Sequence, residues 1–151
     1  GYNYRINDIE CALGSSQLKK IKKFLKKRRN IAEIYNKHLS NLNSCISPKI
    51  KKNLGIKHAF HLYPFQIDFK ALKILKKDFF NFFYKNKINL QVHYVPIYKF
   101  SCFKYFNFFN SKKFTISENF YNKEVSLPIY YGLKNHQVLK TIKLIKKMVL
   151  K

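Results

Sequence analysis

The sequence predicts a mixed α/β fold in which a long helical arm precedes a small domain of helices and short strands. Apolar residues recur at helical spacing from Ile9 to about Leu39, and the last segment of the chain is amphipathic in the same way. Between them, the stretches 60–68 and 90–95 have the composition of strands. A chain of 151 residues suffices for one domain, or for a domain with an arm.

The helical arm is expected to begin at Asn7 or Asp8, since either side chain can cap a helix N-terminus. A helix of roughly 30 residues is long for a compact domain. The small residues at 14–16 permit close packing or a bend in its first third. The basic run 19–29 places its charge outward, which favours a solvated helix face over a nucleic-acid stripe.

The rest of the chain is expected to alternate between helix and strand. The predicted elements are a connector at 40–58, a strand at 60–68, a helix at 71–84, a strand at 90–95, an aromatic loop at 96–113, a helix at 116–123 and an extended piece at 127–129. Pro64 marks its strand as an edge or a bulge, because proline cannot donate to a ladder. Asn135 is expected to cap the last helix, whose predicted apolar side is formed by Val138, Leu139, Ile142, Ile145 and Val149.

The formal charge of +24 suggests a nucleic-acid or anionic-surface partner. Only three of the 31 basic residues are arginine, and the lysines accompany an excess of Asn, Ile, Phe and Tyr, which share A/T-rich codons. Arginine is the residue that binds phosphate or guanine with two hydrogen bonds. The scarcity of arginine therefore argues against a nucleic-acid role, although a basic nucleic-acid-binding module stays open as the alternative function.

Three widely spaced cysteines, Cys11, Cys45 and Cys102, show neither a disulfide framework nor the spacing of a metal site. Buried free thiols in a reducing compartment are the preferred interpretation. No apolar run is long enough to cross a membrane, so no membrane partner is expected and the cytoplasm is the default location.

Two places could carry chemistry. Asn3 and Arg5 lie two residues apart ahead of a helix start, where both side chains can donate hydrogen bonds to a phosphate. Gln91 and His93 would share one face of the second strand where it runs into a loop, although a lone histidine is more often structural. The other histidines have no partner spacing, and no glycine-rich phosphate loop or hydrolase motif is present.

Five ordered motifs resemble the DegT family, pyridoxal-phosphate-dependent aminotransferases that act on nucleotide-linked keto sugars. They are GYNYRINDI at 1–9 with ALG at 12–14 and QL at 17–18, RRNIA at 28–32 with Tyr35, HLYP at 61–64, QVHYVPIY at 91–98 and SLPIY at 126–130. Within the family, QVHYVPIY is most similar to the members that aminate a UDP-linked deoxy sugar toward pseudaminic acid.

The resemblance implies the C-terminal part of a type I pyridoxal-phosphate-dependent transferase fold, similar to aspartate aminotransferase. Residues 1–40 would be the end of the large domain and a long interdomain helix, and residues 41–151 a small α+β domain. It also implies a homodimer with shared active sites, a UDP-linked keto sugar as substrate and glutamate as amino donor.

The resemblance also assigns roles to individual residues. Asn3 would reach the cofactor phosphate or the bound sugar nucleotide across the dimer, and Arg5 would approach the phosphate region of the substrate. Gln91, Val92, His93 and Tyr94 would border the substrate.

The lysine that bonds to pyridoxal 5'-phosphate lies upstream of the opening motif in the family, and would therefore lie outside this chain. No lysine here sits in a matching motif, so no catalytic residue is assigned. The chain alone is expected to be inactive. A split reading frame without a stable fold is a third hypothesis.

Overall fold

The structure is a computed structural model that describes residues 4–50, 57–103 and 114–150. Within these ranges the chain forms α1 (Asp8–Leu18), α2 (Ile21–Leu39), β1 (Cys45–Ile46), β2 (Tyr63–Ile67), α3 (Lys76–Lys85), α4 (Thr115–Lys123), β3 (Glu124–Leu127) and α5 (Asn135–Val149). Single 3-10 turns lie at Ile97–Lys99 and Ser101–Phe103. The mixed α/β class predicted from the sequence is confirmed.

The three strands form one antiparallel sheet in the order β1-β2-β3. Alternate residues of β2 are buried, which is the pattern of a strand with one face on the core. β2 is the middle strand, although Pro64 predicted an edge or a bulge. The two facts agree because β1 pairs only with Gln66 and Ile67, so that Pro64 has a strand on one side only, where it faces Ser126.

The helical arm is broken, but after Leu18 instead of at the small residues 14–16. The first turn is capped as predicted: Asn7 Oδ1 accepts from Glu10 N at 2.9 Å, and Glu10 Oε2 accepts from Asn7 N at 3.2 Å. A Cβ added at Gly14 would meet nothing within 4 Å, so this glycine serves no close packing among the described residues. The break separates α1, which has no buried residue, from α2, whose second half enters the core.

The predicted strand at 90–95 is wrong. Only Gln91 pairs, through one bridge to Ser126 on the free edge of β3. Conversely, β3 itself was predicted only at its last residue. All four of its residues are buried, so it lacks the alternation that identifies a half-exposed strand.

Two helix starts also differ from the prediction. Residues 69–73 form turns and α3 begins only at Lys76; Asp68 Oδ1 accepts from Ala71 N at 3.0 Å at the start of these turns. Asn135 is the first residue of α5 instead of its cap, and its Oδ1 accepts from Lys27 Nζ of α2 at 3.2 Å. Leu139 is exposed, because the buried face of α5 passes through Val138, Thr141 and Ile142.

The core lies between the sheet and the helices α2, α3 and α5. Its fully buried large side chains include Tyr35, Tyr63, Phe65, Phe79 and Phe83. Because α2 packs against α5, the buried residues between 31 and 39 belong to the same core as the residues after 40. The proposed division at residue 40 stays a prediction.

The three cysteines are free, but Cys11 and Cys102 are exposed, which corrects the expectation of buried thiols. No helix in the described ranges has the length and apolarity needed to cross a membrane.

Candidate functional site

The centre of the candidate site is His93, which is bound to β3 through two side chains. His93 N donates to Glu124 Oε2 at 3.0 Å, and Ser126 Oγ donates to Glu124 Oε1 at 2.5 Å. His93 Nδ1 lies 2.8 Å from Ser126 Oγ. Glu124, Ser126 and His93 therefore form a closed hydrogen-bonded ring that holds both the backbone and the imidazole of His93.

Glu124 is fully buried, and its carboxylate interacts electrostatically with the ammonium of Lys76. Lys76 Nζ donates to Tyr121 O at 2.7 Å and lies over the Tyr121 ring, 5.2 Å from its centroid. Burial lowers the pKa of Lys76, while attraction to the Glu124 carboxylate opposes that shift. The Glu124 carboxylate is thus bound directly by hydrogen bonds from His93 and Ser126, whereas Lys76 acts on it through charge attraction.

The segment around His93 exposes the other predicted substrate residues. Gln91 O accepts from Ser126 N at 2.8 Å, while its side chain is exposed and Val92 is half-buried. Tyr94 is 69 % exposed, and its ring meets the His93 ring edge-on at 4.7 Å. The peptide bond between His93 and Tyr94 is cis. Gln91, Val92, His93 and Tyr94 thus lie together along one accessible edge of β3.

Asn3 lies outside the described residues, so its predicted position stays a prediction. Arg5 is exposed in the segment ahead of α1. The first turn of α1 is occupied by its own cap and carries Asp8 and Glu10, whose negative charge opposes an anion there. If an anion binds in this region, the Arg5 guanidinium is a better candidate to hold it than the helix end.

The other two arginines are engaged in the fold. Arg28 Nη1 donates to Phe60 O at 3.0 Å, His61 O at 2.9 Å and Ile129 O at 2.9 Å. Arg29 donates to His58 O at 3.0 Å and to Lys57 O at 3.2 Å. These guanidinium groups join α2 to two loops, which weakens the argument that the positive charge serves nucleic acid.

Glu124 and Ser126 were missed by sequence reasoning. A signal for them exists: residues two apart on a strand share a face, so that Glu-x-Ser would place a carboxylate beside a hydroxyl. What the sequence did not indicate is that residues 124–126 are a strand, or that His93 lies against it.

The family model of the DegT/DnrJ/EryC1/StrS aminotransferases matches residues 1–146. The chain therefore belongs to this aminotransferase family, as its motifs predicted.

Two relatives and one solved structure show what this chain is similar to. A UDP-4-amino-4,6-dideoxy-N-acetyl-beta-L-altrosamine transaminase of Campylobacter jejuni is 38% identical over 130 residues, which are 86% of this chain and 33% of the relative. An uncharacterized protein of Methanocaldococcus jannaschii is 36% identical over 99% of this chain and 38% of its own length. The solved structure of Helicobacter pylori PseC, an aminotransferase involved in the biosynthesis of pseudoaminic acid, matches with a TM-score of 0.84 and 32% identity.

The PseC match covers 99% of this chain and 39% of PseC. The chain thus spans little more than a third of the proteins that it matches, and the fold is that of the corresponding third of a family member.

Proposed function

We propose that this chain forms the C-terminal part of an aminotransferase that moves an amino group from glutamate to the 4-keto group of a UDP-linked deoxy sugar. The product would serve pseudaminic acid or a related surface glycan, and the enzyme would act in the cytoplasm. The observation that carries the proposal is the similarity to PseC over 99% of this chain at 32% identity. The transaminase of Campylobacter jejuni, at 38% identity, supports the same substrate class.

The described residues suit the substrate side of such a site. His93 and Tyr94 present a ring nitrogen and a phenol that can hydrogen-bond to sugar hydroxyls, and Gln91 adds an exposed amide. Arg5 supplies a charge for the diphosphate, because a guanidinium binds phosphate with two hydrogen bonds. Asn3 is proposed to contact the phosphate of the cofactor.

The cofactor of this family is pyridoxal 5'-phosphate, which acts as an electron sink for amino-group transfer. Among the described lysines, Lys76 is half-buried, and its ammonium donates to Tyr121 O. Since no lysine of the chain sits in a motif that resembles that of the family's cofactor-bonding lysine, we infer that the described residues do not make up a complete site for this cofactor. We propose that they form one side of the cofactor site, and that the lysine that bonds to the cofactor comes from protein outside this chain.

The surface of α1 supports that view. Ile9, Leu13 and Leu18 are exposed on a helix with no buried residue, and Ile9 is 83 % exposed. Ile9 and Leu13 are four residues apart and therefore lie on one side of α1, where neighbouring exposed apolar side chains mark a surface that another protein segment covers. We propose that α1 packs in the complete homodimer, where it brings Arg5 and Asn3 to the shared active site.

A chimera tests the proposed function. In it, residues 1–151 replace the matching third of PseC. We expect glutamate-dependent amination of the UDP-linked keto sugar by the chimera, and no turnover by this chain alone. A folded, dimeric chimera that binds the cofactor but does not aminate the sugar would contradict the substrate assignment. Turnover by the chain alone would contradict the proposed division of the site.

A further inference from the structure

The direction of the hydrogen bonds around Glu124 determines which nitrogen of His93 carries a proton. Ser126 has a single hydroxyl proton, and it donates that proton to Glu124 Oε1 at 2.5 Å. The only remaining way for Ser126 Oγ to bond to His93 Nδ1, 2.8 Å away, is to accept. Nδ1 must therefore carry the proton, and Nε2 of the neutral ring keeps a lone pair.

An ionised Glu124 has only acceptor oxygens, so its side chain cannot donate to Ser126 and reverse this arrangement. Glu124 Oε2 accepts from the backbone N–H of His93 at 3.0 Å, and a backbone N–H can only donate. Both carboxylate oxygens thus accept, one from Ser126 and one from His93. Among the described residues, none hydrogen-bonds to His93 Nε2, so this acceptor is available to a ligand.

We propose that Glu124 and Ser126 are positioning residues that hold His93 in its Nδ1–H form, so that Nε2 accepts a hydrogen bond from a hydroxyl of the sugar. The identity of the ligand rests on the proposed function, whereas the form of the ring rests on the hydrogen bonds alone. A fixed acceptor discriminates among sugars, because a sugar without the matching hydroxyl leaves a desolvated nitrogen unpaired.

An isosteric substitution of the carboxylate gives the sharpest test. In Glu124→Gln, the amide oxygen must remain opposite the His93 N–H, which forces the amide NH₂ toward Ser126. The NH₂ then donates to Ser126 Oγ, the hydroxyl proton turns to His93 Nδ1, and the proton of the ring moves to Nε2. The substitution is therefore expected to switch the tautomer without changing the shape of the site.

The measurement is long-range ¹⁵N–¹H NMR of the 151-residue chain at a pH where the imidazoles are neutral, with the His93 signals assigned by their loss in His93→Gln. In the natural chain we expect the Nδ1–H form of His93 to exceed the Nε2–H form about tenfold. The hydrogen bond between His93 Nδ1 and Ser126 Oγ is strong enough to change the ratio by about that factor. Glu124→Gln should invert the ratio, Ser126→Ala should give a mixture, and Ser126→Thr should restore the Nδ1–H form. The control Glu33→Gln, an exposed carboxylate on α2, should leave the ratio unchanged.

An Nε2–H form in the natural chain, or a ratio that Glu124→Gln leaves unchanged, would overturn the proposal. In the chimera, Ser126→Ala should raise KM for the UDP-sugar about tenfold with kcat changed less than about threefold. An unchanged KM would overturn the assignment of Nε2 to a sugar hydroxyl. An inactive chimera with the expected tautomers would instead count against the proposed function and leave the positioning network standing.

Discussion

Replacing Arg28 with methionine should destabilise the fold far more than removing an exposed charge, such as that of Lys26, from the basic run of α2. Arg28 Nη1 contacts three backbone carbonyls, but it carries only two hydrogens, so the contacts amount to two full hydrogen bonds. Hydrogen bonds from a charged donor are worth about 1.5–3 kcal/mol each. Because Arg28 is half-buried, the lower value applies, and the loss comes to about 3 kcal/mol.

Urea unfolding followed by circular dichroism would measure this loss as a lower midpoint with an unchanged slope. In a chain of this size, the same loss lowers the melting temperature by about 6–12 °C. Lys26→Met is the matched control, because Lys26 is exposed on the same helix and makes no hydrogen bond with the described residues. It should cost less than about 0.5 kcal/mol. If the two variants differed by less than about 1 kcal/mol, the carbonyl contacts of Arg28 would not be the reason for its stabilising role.

Three further changes probe the fold. Burial raises the pKa of Tyr63 to about 12, so the folded state holds that proton more tightly than the unfolded chain. The stabilisation that comes from this shift is therefore fully present below about pH 10, and the free energy of unfolding falls by about 3 kcal/mol as the pH rises toward 12. Tyr63→Phe should make this fall less steep in alkaline unfolding curves, and an unchanged slope would contradict the role assigned to Tyr63. Asn7→Ala should speed hydrogen exchange of the α1 amides about fivefold, through the loss of about 1 kcal/mol of capping. Asn7→Asp should preserve their protection, and a change in global stability would mean that α1 is packed. Phe83→Ala should cost about 3–5 kcal/mol in urea unfolding, because Phe83 is fully buried, whereas the same change at exposed Tyr84 should cost little; equal costs would refute the assigned core.

Elements with one buried face were predictable from the sequence. The second half of α2, β2 and α5 each alternate between buried and exposed positions with the period of their structure, and that period is visible in the residues. The cap at Asn7 was predictable too, because it depends on neighbours within the same turn. β1 has only two residues, so it leaves no periodic signal.

The failed strand at 90–95 has a specific cause. From the bridge of Gln91 to Ser126, an antiparallel ladder would next bring His93 opposite Glu124. There the His93 N–H donates to the side-chain carboxylate of Glu124 instead of to its backbone carbonyl. A buried side chain thus replaces the ladder and ends the strand after one bridge, and no local pattern in residues 90–95 encodes that competition.

The same competition explains which part of the candidate site was predictable. His93 was singled out because it lies between a strand-like segment and a proline, which are local features. Glu124 and Ser126 lie more than 30 residues away and become relevant only through the fold. The family motif pointed to residues that we propose face the substrate, but not to Glu124 and Ser126, which we propose orient His93.

Glu124 is costly to bury, and that cost is itself informative. All seven acidic residues lie in the described ranges, and of these only Glu124 is fully buried. A buried carboxylate loses its hydration, and an apolar residue of similar size is often at least as stable at such a position. With a net charge of +24, the chain has many lysines that could pair with Glu124 if this residue lay at the surface. The Glu124 oxygens are instead bound by a serine and a backbone N–H. Local rules of stability are broken most often where a site needs a fixed geometry, which is why we assign this network to the orientation of His93 and not to the packing of the sheet.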